Sequence, residues 1–268
     1  MIEINKKNKC CKVTATYFGA RRGYPHNCEE TIEMLTTELE NEINIDSGFD
    51  TDLVIINHDF GNEKAKKFLN KFNGVKTKNG VIKIINRKWD DGWGLSFGSF
   101  INAFNLFKEE YEYWFFNEDD IYAMEHGYIK KMIEMLNSDN KIAYVCAENI
   151  SDHPHTIVGG YIESTGYENH PPHAHGGVGL TSTKYINEVI NKLGSFPLPK
   201  LKMSKSLQKS AIEGDFQIFK QSEGIKWYRD AEINGEISFT NCYVQIGYKL
   251  KLYSSGRSFY RVQTQSYC

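Results

Sequence analysis

The chain has 268 residues, 40% of them hydrophobic and 13% aromatic, which is enough to fill a sizeable interior and excludes a disordered chain. Its 32 basic and 34 acidic residues leave a net charge of −2, which excludes nucleic-acid binding by blanket phosphate neutralisation, so an anionic ligand has to be met locally. No uninterrupted apolar run approaches the roughly 18 residues of a membrane span, and the early lysines precede no signal-peptide core; a soluble, cytoplasmic protein is expected.

In chain order, Lys12 to Phe18 (KVTATYF) is β-prone and stops at a glycine, after which GARRGYPHN supplies turn residues and two arginines. Asn27 and Glu30 have the spacing of a capping box, and Ile32, Leu35, Leu39 and Ile43 recur at helical intervals behind them. Asp52 to Asn57 (DLVIIN) is a short apolar run of the kind buried on both faces of a parallel sheet, and a helix is predicted over Asn62 to Phe72. Val81 to Ile85 predicts a strand, Phe97 to Phe107 a helix, and Tyr113 to Phe116 a strand. A helix over His126 to Leu136 and a strand over Ile142 to Cys146 continue the alternation. The pattern predicts an α/β fold with an open, mostly parallel sheet flanked by helices. Ala147 to Gly177 interrupts it with a loop-like stretch holding five of the eight histidines, a length usually kept for function. Helical spacing returns at Thr183 to Leu193 and Ile212 to Gln221. Between them SFPLPKLKMSKSLQKSA carries four lysines and no acid, which suits a lid or a solvated loop. The tail, NCYVQIGYKLKLY, reads as short strands.

The aromatic strand YWFF runs directly into Asn117, Glu118, Asp119 and Asp120. In an open α/β sheet ligands gather at the carboxyl ends of strands, and acids there suit Mg²⁺ or Mn²⁺ shared with substrate phosphates; the plain alternative is an acidic cap on the next helix. The six cysteines lack CxxC spacing, which predicts reduced thiols. His153, His155, His170, His173 and His175 invite a zinc reading, but HPH and HAH match no zinc motif, and lining an acceptor site or bonding within the loop is the commoner use.

The order of these pieces resembles a GT-A glycosyltransferase, in particular the family-2-like group that uses nucleotide sugars. A first strand ending in a nucleotide-contacting loop resembles VTATYFGARR; a DXD-type motif after an aromatic strand resembles FFNEDD; a GG-containing strand and turn resembles HGGVGLTSTKYI; and an acidic motif opening a helix resembles IEGDFQIFKQSEG. The resemblance spans Lys12 to Trp227. It implies a Rossmann-like GT-A domain over residues 1–268, with a nucleotide-sugar and metal-binding half at 12–125, an acceptor half at 126–230 and an extension at 231–268. It implies metal-dependent, inverting hexosyl transfer (EC 2.4) from a nucleoside-diphosphate sugar to a hydroxyl of a glycan or other acceptor. Asp120 and Glu118 would hold the metal, with Asp119 beside them. Thr16, Tyr17, Gly19 and Arg21 (or Arg22) would contact the nucleotide, Asp59 the base or ribose, and Asp91 the donor. Asp215 or Glu213 would be the general base, against the plain reading of a helix cap. The sequence departs from the family in having Glu118 as the first acid of the motif and Gly214 directly before Asp215. Two rivals stand beside this reading: a nucleotidyltransferase-like enzyme, for which GARRGYP is a poor phosphate loop, and a non-catalytic carbohydrate-binding or scaffold protein on the same fold.

Overall fold

The computed structural model describes residues 8–18, 28–59, 62–88, 95–147, 150–151, 172–198, 235–253 and 258–261. Strand β1 (Cys10–Tyr17) leads to helix α1 (Cys28–Asn44), β2 (Thr51–Asp59), α2 (Glu63–Asn70), β3 (Ile82–Lys88), α3 (Leu95–Phe107) and β4 (Tyr113–Glu118). A short strand β5 (Ile121–Ala123) follows, then α4 (Tyr128–Asn137), β6 (Ile142–Cys146), β7 (Ile150–Ser151) and β8 (His173–Ala174). The chain continues through a single 3₁₀ turn (His175–Gly177), β9 (Gly179–Ser182), α5 (Thr183–Leu193), α6 (Ser238–Gln245), β10 (Lys249–Leu252) and β11 (Phe259–Arg261).

Seven strands form one sheet in the order β10-β6-β9-β4-β1-β2-β3. β1 pairs in parallel with β2 and β4, and β2 with β3; β9 runs antiparallel between β4 and β6, and β10 closes the far side in parallel with β6. The predicted α/β class with a mostly parallel, Rossmann-like sheet is what the chain adopts. β2 is covered on both faces, as its unbroken apolar run requires: Val54 and Ile56 enter the main core, and Leu53 and Ile55 enter a second cluster with Leu35, Leu39 and Leu69.

Two elements differ from expectation. The NCYVQ part of the tail is helical, because Phe239, Cys242 and Tyr243 follow a helical spacing into the aromatic core; only KLKL behind it is a strand. In α1 the buried residues are Thr31, Met34, Leu35, Glu38, Leu39 and Glu42, so the helix turns a face containing two glutamates inward, while Ile32 and Ile43 are only partly buried. Asn27 and the helix expected over Ile212 to Gln221 lie outside the described residues. Among those described, no helix is long and apolar enough to cross a membrane.

Candidate functional site

The strand order reverses at β1. The chain builds outward on one side through β2 and β3, and returns to place β4 on the other. At such a switch point the loops leaving the carboxyl ends of the two central strands diverge and open a crevice. The register sets Thr14 beside Asn117 and Ala15 beside Glu118. The Thr16 hydroxyl, just beyond, donates to Asp119 Oδ2 at 2.8 Å, joining the ends of β1 and β4 across the crevice. Asp119 is 1% exposed, whereas Glu118 and Asp120 on either side of it are half-buried. The acidic run therefore divides its labour: the middle carboxylate ties the two strands together, and the outer two residues are half-buried, with Asp120 Oδ1 itself buried.

The 3₁₀ turn before β9 borders this corner. Gly176 and Gly177 have φ of +60° and +67°, left-handed values that favour glycine. A Cβ on Gly176 would stand 2.9 Å from Glu118 Oε2, and one on Gly177 would stand 2.9 Å from the Phe97 ring. The first glycine thus makes room for a carboxylate and the second for the core. Gly176 N donates to Glu236 Oε1 at 2.9 Å, and His175 Nε2 lies 3.8 Å from the same oxygen.

Oxygen donors on Glu118 and Asp120 suit a hard cation that completes its shell with water and phosphate oxygens. Among the described residues no group of three or more His, Cys, Asp or Glu side chains forms a cage built by protein alone, and Mg²⁺ shared with a nucleotide needs none. Zinc ligation by the histidine-rich stretch finds no cluster among the described residues either. His173 is fully buried, and His153, His155 and His170 lie outside them.

Of the remaining predicted residues, Tyr17 ends β1 opposite His58. His58 is buried and bonds Ser99 of α3 through Nε2, a structural tie. Asp59 ends β2 at the same edge of the sheet. Gly19, Arg21, Arg22, Asp91, Glu213 and Asp215 lie outside the described residues.

Sequence reasoning missed a buried polar cluster below the acidic turn. Lys12 Nζ is 2.5 Å from Glu42 Oε1 and 3.4 Å from Glu38 Oε1. Thr14 Oγ1 donates to Glu38 Oε1 at 2.7 Å, and Asn117 Nδ2 donates to the same oxygen at 2.8 Å. Burial lifts the Glu38 carboxyl to about 7, with Lys12 and the Thr14 hydroxyl opposing it. Burial would lower the Lys12 ammonium, but Glu42 and Glu38 outweigh it and hold it above its ordinary value. A signal existed: Lys12, Thr14 and Thr16 alternate along an otherwise apolar strand, and Glu38 and Glu42 are one helical turn apart.

No family model matches the chain, and no curated protein matches it. Solved structures do. A cytidylyltransferase from Leptospira borgpetersenii serovar Hardjo-bovis (strain JB197) superposes with a TM-score of 0.44 at 10% identity, over 94% of this chain and 78% of that one. A CMP:2-keto-3-deoxy-manno-octonic acid synthetase complexed with CTP gives 0.40 at 13%, over 81% and 87%. At these scores and identities neither likeness assigns an activity to this chain. Neither neighbour is a hexosyltransferase. The expectation of glycosyl transfer is corrected on that finding, and with it the enzyme class; Asp215 and Glu213, expected as the base, lie outside the described residues.

Proposed function

We propose that the chain is a nucleotidyltransferase-like enzyme that binds a nucleoside triphosphate in the crevice above β1 and β4. The observation that carries this reading is the Thr16–Asp119 bond at the switch point, with the half-buried acids Glu118 and Asp120 on either side of it. Glu118 and Asp120 are the residues that would hold Mg²⁺ or Mn²⁺. Bound there, the cation would neutralise charge growing on the departing phosphates.

Thr16 and Tyr17, at the end of β1, and Asp59, at the end of β2, flank the place for base and ribose. Arg21 and Arg22 follow β1 closely in sequence and are the cations available to the phosphates. In the reaction an oxygen of the acceptor attacks the α-phosphorus; the bond from acceptor oxygen to phosphorus forms, the bond to the bridging α–β oxygen breaks, and pyrophosphate leaves. Asp119 acts by fixing the turn, since its own carboxylate is buried against Thr16.

Thermal-shift measurements with CTP, UTP, ATP and GTP, each with and without Mn²⁺, test the reading. One triphosphate should raise the melting temperature only when metal is present, since a ligand at 100 times its Kd stabilises the native state by about 2.7 kcal/mol. The double variant Glu118→Gln with Asp120→Asn should abolish that shift. Equal shifts in wild type and double variant, or none with any triphosphate, overturn the reading. A metal-dependent shift with no pyrophosphate release from any acceptor tried would identify a binding protein instead.

A further inference from the structure

The cluster beneath the acidic turn joins β1, α1, β4 and α4. Asn117, fully buried near the end of β4, uses both Nδ2 protons: one goes to the Ile121 carbonyl at 2.8 Å, which clasps residues 117–121 into a closed turn, and the other to Glu38 Oε1 at 2.8 Å, which anchors the clasp to α1. Glu38 is in turn held by Thr14 and Lys12 of β1. Lys12 reaches Glu42, and the Tyr128 hydroxyl of α4 donates to Glu42 at 3.3 Å.

As a source of stability this arrangement is poor. Moving charges out of water costs several kcal/mol per ion, and well-packed apolar side chains of similar volume commonly do as well or better. It also leaves Asn117 Oδ1 and Glu38 Oε2, both buried, without a hydrogen-bond partner among the described residues. What the polar cluster supplies, and an apolar one lacks, is direction. A hydrogen bond from Asn117 fixes where the backbone turns, and the carboxylates of Glu118 and Asp120 are carried on that turn.

We propose that Asn117 and Glu38 are positioning residues, which hold the Glu118–Asp120 turn in the conformation that receives a cation by clasping it at Ile121 and anchoring it to α1. The inference rests on the reading of that turn as the cation and phosphate site. Glu38 touches no ligand in this scheme and acts through Asn117.

The test compares Glu38→Ala, Glu38→Gln and Asn117→Leu with wild type by hydrogen exchange over residues 119–123 and by Mn²⁺ binding followed by electron paramagnetic resonance. Glu38→Gln retains the oxygen that accepts from Thr14 and Asn117. It should keep exchange of the turn and Mn²⁺ affinity within about threefold of wild type. Glu38→Ala and Asn117→Leu should speed exchange of the turn at least tenfold and weaken Mn²⁺ at least tenfold, while protection of β2 is retained. If Asn117→Leu does not fold, the comparison of alanine and glutamine at position 38 decides. Identical behaviour of those two variants in the turn overturns the positioning role, whatever Mn²⁺ does. A wild-type protein that binds no Mn²⁺, alone or with a triphosphate, while exchange follows the expected pattern, removes the cation site and leaves the clasp standing.

Discussion

Glu38 is a carboxylate enclosed by protein, and burial raises it from 4.5 to about 7. The native state keeps this proton to a higher pH than the unfolded chain does. Its contribution to stability is therefore fully present below about pH 4.5 and is lost as pH rises through about 7. Glu38→Gln cannot ionise. Its stability relative to wild type should climb across that window by at most roughly 3 kcal/mol, read from urea unfolding at pH 5 and pH 8; parallel pH curves would contradict the assignment. Lys12→Met removes the one cation the cluster has among the described residues and strands Glu38 and Glu42 together, so a loss of about 3–5 kcal/mol at neutral pH is expected in the same assay. Gly176→Ala puts a Cβ 2.9 Å from Glu118 Oε2 at a φ of +60°. It should cost about 1 kcal/mol of stability and weaken Mn²⁺ binding by displacing Glu118; unchanged Mn²⁺ affinity would show that the carboxylate can move without consequence. At this scale the acids were legible as a motif, since three in a row after an aromatic strand is an uncommon string. That Asp119 is buried against Thr16 while Glu118 and Asp120 are only half-buried was not legible, because side-chain direction at the end of a strand depends on the neighbouring strand.

Among the elements, β1 to β4, β6 and most helices follow directly from their spacing, whereas the two- and three-residue strands β5, β7, β8 and β11 do not. α5 begins and ends where its apolar period begins and ends, at Thr183 and Leu193. α1 is instructive in another way. Its existence follows from Ile32, Leu35, Leu39 and Ile43, yet the helix is rotated from the stripe those residues define and buries Glu38 and Glu42. A reading that treats glutamate as a surface residue finds the helix and misses its face, because the partner that makes burial tolerable, Lys12, belongs to another element. α6 shows the converse. Its run of Phe239 to Val244 has the aromatic and β-branched residues of a strand, and tertiary contact decides against one. Phe239 lies with its ring centre 5.0 Å from Phe196, 5.1 Å from Phe97, 5.5 Å from Phe116 and 5.6 Å from Phe100, a position that a helix facing the core provides. Phe239→Ala should cost about 3–5 kcal/mol in chemical denaturation, and a loss below 1 kcal/mol would mean the cluster closes over the gap.

For the molecule as a whole, β10 finishes one side of the main sheet, and β11, paired with β5, covers part of its core. β10 covers the edge of β6, and Phe259 of β11 stacks on Phe115 with ring centres 5.7 Å apart. Ending the chain after Gly247 should expose the β6 edge and the Phe115 ring, and give a protein that is less stable and self-associates, as measured by light scattering against the 268-residue chain. A monodisperse truncated protein of equal stability would show that the core needs neither strand. Local pattern was enough for the α/β class, for the run of elements through α4 and β6 apart from the short β5, and for the acidic turn at the end of β4, because apolar period and turn residues are local properties of the chain. Only the tertiary structure decided that β1 lies between β4 and β2, that Thr16 and Asp119 meet across the crevice, and that Lys12, Glu38 and Asn117 share one buried cluster. Those relations join residues as much as 103 positions apart, and burial makes a partner obligatory without stating which one it will be.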